Sequence, residues 1–186
     1  MTQLIKKSSV KSAQTWIEKS PLVLDTETTG LSNRDEIIEI AVHDINDNIV
    51  FYSTLRPSVD IHPKAEEVHQ ISRDSLANEP TWNEIIDQLR VCLQNKTVII
   101  FNVDFDIRLL KQTAIAFGDD AKWLDELETR CAMYLAADHY GATNRYGSIS
   151  LANAMRAAGT KLRGKAHTAS ADVLATIDVV KAIAEQ

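Results

Sequence analysis

The stretch Pro21-Leu22-Val23-Leu24-Asp25-Thr26-Glu27-Thr28-Thr29-Gly30 decides how this chain is read. Pro21 to Leu24 is a short apolar run bounded by turn signals, the pattern of a buried strand. Side chains on a strand alternate faces, so Asp25 and Glu27 project together while Thr26 points behind the sheet. Two carboxylates side by side each resist ionising. A divalent cation between them relieves that repulsion, and an all-oxygen pair suits Mg²⁺ or Mn²⁺ better than zinc. Acidic residues also mark ordinary strand-to-turn junctions, so the case depends on what lies downstream.

Outward from this strand, Ile37-Ile38-Glu39-Ile40-Ala41-Val42 and Ile49-Val50-Phe51-Tyr52 read as two more strands, separated by the turn-prone Asn46-Asp47-Asn48. They complete an antiparallel meander with the first. Val10, Ala13, Trp16 and Ile17 recur at helical spacing before Pro21. Pro57 and Pro63 bracket an irregular connection, followed by short helical pieces up to Asp74 and Ser75. Trp82, Ile85, Ile86, Leu89 and Leu93 mark a helix, and Thr97-Val98-Ile99-Ile100-Phe101 a strand buried between helices.

Further helices are expected over 104–117, with Asp104 as N-cap and Gly118 closing it, and over 131–137. The region 138–147 reads as a loop. Ser150 caps a helix closed by Gly159, and the last helix covers 169–184 with Val173, Ile177, Val180 and Ile183 inward. The pattern predicts one α/β domain over 1–186 with a mixed central sheet, the first 20 residues forming a helix packed on it.

The 186 residues suffice for one full core, and 45% hydrophobic with 25% charged content excludes a disordered chain. No apolar run reaches the ~18 residues of a membrane span, so no membrane partner is expected. The N-terminus lacks the apolar core of a secretion signal. Cys92 and Cys131 each fall in an apolar helical pattern and are expected as buried free thiols. Together these features predict a cytoplasmic protein. The formal net charge is −6, yet residues 139–171 hold no acid and carry Arg145, Arg156, Lys161, Arg163 and Lys165. That basic stretch is where an anionic substrate would be held.

Two further sequence elements carry chemistry. Asn102-Val103-Asp104-Phe105-Asp106 lies where a buried strand turns into a helix, the favoured ligand position in open α/β sheets. His167-Thr168-Ala169-Ser170-Ala171-Asp172 places a histidine just before the last helix and an aspartate in its first turn. Taken singly, these residues read as helix caps and a surface histidine.

Together, Asp25-x-Glu27-Thr28-Thr29-Gly30-Leu31, Asn102-x-x-Phe105-Asp106 and His167-x-x-x-x-Asp172 resemble the motifs of the DEDDh, or DnaQ-like, 3′–5′ exonucleases of the ribonuclease-H-like superfamily. Val68-His69-Gln70-Ile71-Ser72 is similar to the family's histidine-containing segment. The resemblance covers 21–182. It departs at Phe101, where many relatives carry histidine, a change expected to be one of packing.

The resemblance implies a ribonuclease-H-like fold and hydrolysis of phosphodiester bonds from the 3′ end of single-stranded nucleic acid, DNA favoured, releasing nucleoside 5′-monophosphates. It implies that Asp25, Glu27, Asp106 and Asp172 bind two Mg²⁺ or Mn²⁺ ions, with His167 taking the proton of the attacking water. Imidazole is suited to that task at neutral pH. Thr28, Thr29, Leu31, His69, Asn102, Phe105 and Lys165 are the implied substrate contacts. The catalytic set does not distinguish DNA from RNA, so an RNA-trimming exonuclease or oligoribonuclease stays open, as does a polymerase proofreading subunit. A non-catalytic binding module on the same fold is opposed by the intact acidic set. With only the last helix following Asp172, no separate polymerase-docking tail is expected. A stand-alone nuclease is favoured, with a homodimer left open.

Overall fold

A computed structural model describes residues 3–186. The chain forms α1 (Gln3–Glu18), β1 (Leu22–Thr28), β2 (Ile37–Asp44), β3 (Ile49–Thr54), α2 (Pro63–His69), α3 (Trp82–Leu93), β4 (Thr97–Ile100), α4 (Val103–Ala116), β5 (Glu128–Cys131), α5 (Ala132–Tyr140), α6 (Leu151–Ala158) and α7 (Ala169–Ala184). Short 3₁₀ turns lie at Asp74–Leu76 and Lys122–Glu126. The five strands form one sheet in the order β3-β2-β1-β4-β5. The meander β1-β2-β3 is antiparallel, whereas β4 pairs parallel with both β1 and β5.

Strand periodicity divides the core in two. Val23, Ala41 and Ile99 face the layer of α1, α5, α6 and α7, where Ala13, Leu135, Val173, Ile177, Val180 and Ile183 are buried. Leu22, Leu24, Ile40, Val42, Val98 and Ile100 face α3 and α4, against Trp82, Leu89, Leu93, Leu109 and Leu110. Strand β4 is buried on both faces, which is why it reads as an unbroken β-branched run. Each such aliphatic side chain contributes about 1.5–3 kcal/mol on burial. Phe101 belongs to the first core, 8% exposed, as expected of a packing residue.

Some expectations need correction. Strand β5, Glu-Thr-Arg-Cys, carries no apolar run because it is an edge, supported by β4 alone. Cys131 therefore ends a strand and does not sit within a helix, and both thiols are half-buried, not buried. The N-cap of α4 is Asn102, two residues before Asp104, which is exposed in the first turn. No helix among the described residues is long and apolar enough to cross a membrane.

Candidate active site

The parallel strands β1 and β4 end at the same edge of the sheet, where α4 and α7 begin. Strand β1 runs through both carboxylates to Thr28, so Asp25 and Glu27 share the face turned to α7. Asp172, in the first turn of α7, meets them there. Ligand oxygens of Asp25, Glu27 and Asp172 all lie within 4.8 Å of one another.

Asp106 arrives from the other layer of the molecule. Thr26, between the two β1 carboxylates but pointing oppositely, donates its hydroxyl to Asp106 Oδ1 at 2.8 Å. Asp106 is only 3% exposed. With Asn102, Phe105, Leu151 and His167, the four carboxylates line a single cleft of about 190 Å³.

The electrostatics are those of a cluster lacking countercharge. Burial, then Asp106, Asp172, Glu27 and Glu39, hold the Asp25 carboxyl well above the usual carboxylate range. Burial, followed by Asp172 and Glu39, pushes Glu27 up to about 8. Asp106 is raised to about 7 by burial, against the lowering effect of the Thr26 hydroxyl. Burial also raises Asp172, partly offset by the neighbouring His167. Four crowded carboxylates are costly without cations, and an oxygen-only donor set fits hard divalent ions. The residues therefore suit the expected metal.

His167 is exposed at the cleft and adopts a left-handed backbone, φ +57°, immediately before Thr168. Such a conformation is uncommon for a non-glycine residue and is favoured at functional sites. The Thr168 hydroxyl caps α7 by accepting from Ala171 N, and it donates to the Lys165 carbonyl, folding the preceding loop back.

In the sequence, Glu39 stands simply as one residue of a strand. It is 4% exposed and lies directly across from Glu27 in the β1–β2 register. Its Oε1 accepts from the Tyr52 hydroxyl at 2.7 Å and its Oε2 from Ala169 N at 2.9 Å. Both oxygens are thus spent inside the protein, fixing the start of α7. The signal was available: one acid inside an otherwise apolar strand must find partners.

A larger cavity of about 790 Å³ opens beside the cleft, sharing Thr26, Glu27 and Phe105 with it. Thr28, Leu31, Ile61, His62, Val68 and His69 help line it. Leu31 is 77% exposed at its rim. His69 is buried, accepts from Ile71 N through Nδ1, and leaves Nε2 turned to the main chain of Thr28 without a well-formed bond. Thr29, in contrast, is not brought to the cavity: its hydroxyl donates to Asp35, its N–H to Glu36 O, and its carbonyl accepts from His62 N. Asp35 also accepts from Ser32 N. Its carboxylate lies against Gly30, where an added Cβ would meet it at 2.8 Å.

Lys165 is exposed on the loop before His167, and so is Lys161. Arg163, between them, is not available to a substrate. It pairs with Asp47 at 2.7 Å and Asp178 at 2.8 Å, tying the loop to the β2–β3 turn and to α7.

The exonuclease family known as RNase T matches residues 22–180. The chain belongs to this exonuclease family. Like its relatives it is a hydrolase, and the kinship with DnaQ-like exonucleases expected from the motifs holds. An uncharacterized exonuclease, CP81 of Escherichia phage 186, is 31% identical over 179 residues, covering 93% of this chain and 92% of that protein. The DNA polymerase III subunit epsilon of Rickettsia typhi is 30% identical over 129 residues, covering 62% of this chain and 56% of that one.

Among solved structures, exonuclease X in complex with 5′-overhanging duplex DNA superposes with a TM-score of 0.65 at 23% identity, over 88% of this chain and 90% of that one. Product-bound exonuclease I gives 0.71 at 18%, over 89% of this exonuclease and 43% of its own chain. The fold is the expected ribonuclease-H-like one.

Proposed function

We propose that this exonuclease removes nucleotides one at a time from the 3′ end of single-stranded DNA, releasing nucleoside 5′-monophosphates. The observation that carries the reading is the convergence of Asp25, Glu27, Asp106 and Asp172 with His167 on one cleft at the end of β1. The DNA preference draws support from the epsilon subunits of a DNA polymerase and from exonuclease X carrying DNA, and the polarity from a relative named 3′-5′ exonuclease, DinG of Staphylococcus haemolyticus.

Asp25, Glu27 and Asp172 would hold divalent Mg²⁺ or Mn²⁺, with Asp106 completing a site for two. Such ions, when bound, acidify an attacking water and offset the charge gathering on the phosphodiester and its leaving oxygen. His167, exposed beside Asp172, accepts the proton of the attacking water at an imidazole nitrogen. Thr26 orients Asp106, and Glu39 orients the helix bearing Asp172.

The larger cavity receives the 3′-terminal nucleoside. Leu31 and Phe105 offer apolar faces to its base, and the Thr28 main chain lies beside its sugar. Asn102, at the mouth of the cleft, adds an amide toward the phosphate. Lys165 adds a cation on the loop before His167.

Product analysis on matched single-stranded DNA, RNA and duplex oligomers, with and without Mg²⁺, tests the reading. DNA should yield mononucleotides only with metal present, and a 3′-phosphate should block digestion while a 5′-phosphate should not. Faster digestion of RNA would reassign the enzyme to RNA trimming. Rapid cutting of circular single strands would overturn the polarity.

A further inference from the structure

A second cavity, of about 440 Å³, borders the catalytic cleft between α6 and the segment 160–166. It shares Leu151, His167 and Asp172 with the cleft, just as the larger cavity shares Thr26, Glu27 and Phe105. The catalytic cleft thus borders both hollows, which have no lining residue in common.

The two differ in charge. The larger is lined by Glu27, Asp35 and Asp60 with Lys64 as its lysine. The smaller has no carboxylate except Asp172 and includes Arg156. Lys161 and Lys165 are exposed on the segment forming its wall. Its floor is apolar: Leu151, Met155 and Leu162, the last 39% exposed.

The cut divides a nucleic-acid strand unequally. On the terminal side stands one nucleoside, whose only phosphate is the one being attacked. On the other side every nucleotide adds a phosphate, and a strand bearing several needs cations and surfaces for stacking. We propose that the hollow between α6 and the 160–166 segment is the subsite for the penultimate nucleotide and the route by which the rest of the strand leaves. This rests on the exonuclease reading above. The base lies on Met155 and Leu162, while Arg156 holds the phosphate that follows, with Lys161 and Lys165 along the exit. The flexible thioether of Met155 fits purines and pyrimidines alike, so the subsite accepts any sequence. Arg163 takes no part, because Asp47 and Asp178 engage it.

The test compares two substrates. Thymidine 5′-monophosphate p-nitrophenyl ester presents a terminal nucleotide with no strand behind it, and a single-stranded DNA octamer presents both. The Arg156 guanidinium bonds the Asn153 side chain on its own helix, so its removal spares the core. In Arg156→Ala the ratio of octamer KM to ester KM should rise five- to tenfold. The slope of log KM for the octamer against log salt should fall by about 0.7, the value of one single-strand phosphate contact. Leu162→Ser should raise the KM ratio with the slope unchanged, and Arg156→Lys should restore the slope. Unchanged ratios in both Arg156→Ala and Leu162→Ser, or equal losses on ester and octamer, would overturn the subsite. If the wild-type protein with Mg²⁺ cleaves neither substrate, the exonuclease reading itself fails.

Discussion

The Glu39 carboxylate accepts the main-chain N–H of Ala169 at 2.9 Å, so the second strand of the sheet holds the first residue of the helix that carries Asp172. A neighbouring bond, His43 Nε2 to Ser170 Oγ at 3.2 Å, fixes the next residue to the same strand. Helix α7 and strand β1 are thereby held to a common support, and the spacing between Asp172 and the β1 carboxylates follows from it.

Glu39→Ala removes both the grip and the charge, and should lower kcat about 10- to 100-fold, the usual worth of a residue that orients a metal ligand. Glu39→Gln can still accept from Ala169, so it should keep most of kcat while raising the Mg²⁺ concentration for half-maximal rate. Steady-state kinetics over a Mg²⁺ titration checks both. Wild-type kcat in Glu39→Ala would show that the grip has no bearing on turnover.

Chelation should abolish activity, and Mg²⁺ or Mn²⁺ should restore it. Asp25 is the carboxylate most crowded by others. Asp25→Ala should be inactive yet melt at the same temperature as, or above, the metal-free wild type, because it relieves repulsion. An Asp25→Ala protein that fails to fold would make Asp25 a structural residue.

Stability without metal should fall with rising pH. Glu27, raised from 4.5 to about 8, binds its proton more tightly folded than unfolded. Its contribution is fully present below pH 4.5 and is lost as pH climbs through about 8. Asp106, raised to about 7, acts in the same direction. Metal requires the deprotonated carboxylates, so the Mg²⁺-induced gain in Tm should be larger at pH 8.5 than at pH 6. Melting curves at the two values, with Mg²⁺ and with EDTA, decide it.

His167→Asn should cut turnover about 10²–10⁴-fold, the range for loss of a general base. Asparagine tolerates the left-handed backbone at this position, so the loop survives the change. Mg²⁺ and oligomer affinity should be retained. A variant that instead loses Mg²⁺ affinity at full kcat would make the histidine a ligand.

Gly30→Ala should raise KM for the terminal nucleotide, because its Cβ would meet the Asp35 carboxylate at 2.8 Å. Asp35 would have to release Thr29 and Ser32, loosening the loop that carries Leu31. Overpacking of this kind costs about 1–3 kcal/mol. Kinetics on the p-nitrophenyl ester, with a melting curve, measures both effects.

The sequence disclosed what is local. The Asp25/Glu27 pair follows from strand alternation alone, and the meander, β4 and the core helices from apolar periodicity. What it withheld depends on partners far along the chain. Glu39 looked like one residue of a strand because Ala169 stands 130 positions away. Arg163 read as part of a phosphate-binding run because Asp47, 116 positions distant, becomes its partner only on folding. Strand β5 escaped notice since an edge position needs no apolar alternation. Thr29 is a substrate contact implied by the motif, and what the motif does not display is that its hydroxyl donates to Asp35 in the loop closure.

The separation of Asp25 from Asp172 along the chain has a consequence for biosynthesis. A polypeptide leaving the ribosome exposes β1 and α4 early, with Asp25, Glu27 and Asp106 already outside, while α7 is still in the exit tunnel. Until α7 emerges and docks on Glu39, the proposed cleft lacks Asp172 and His167 together. Because cleavage is assigned to the assembled cleft, a chain whose α7 has not yet docked on Glu39 should leave nearby nucleic acid uncut.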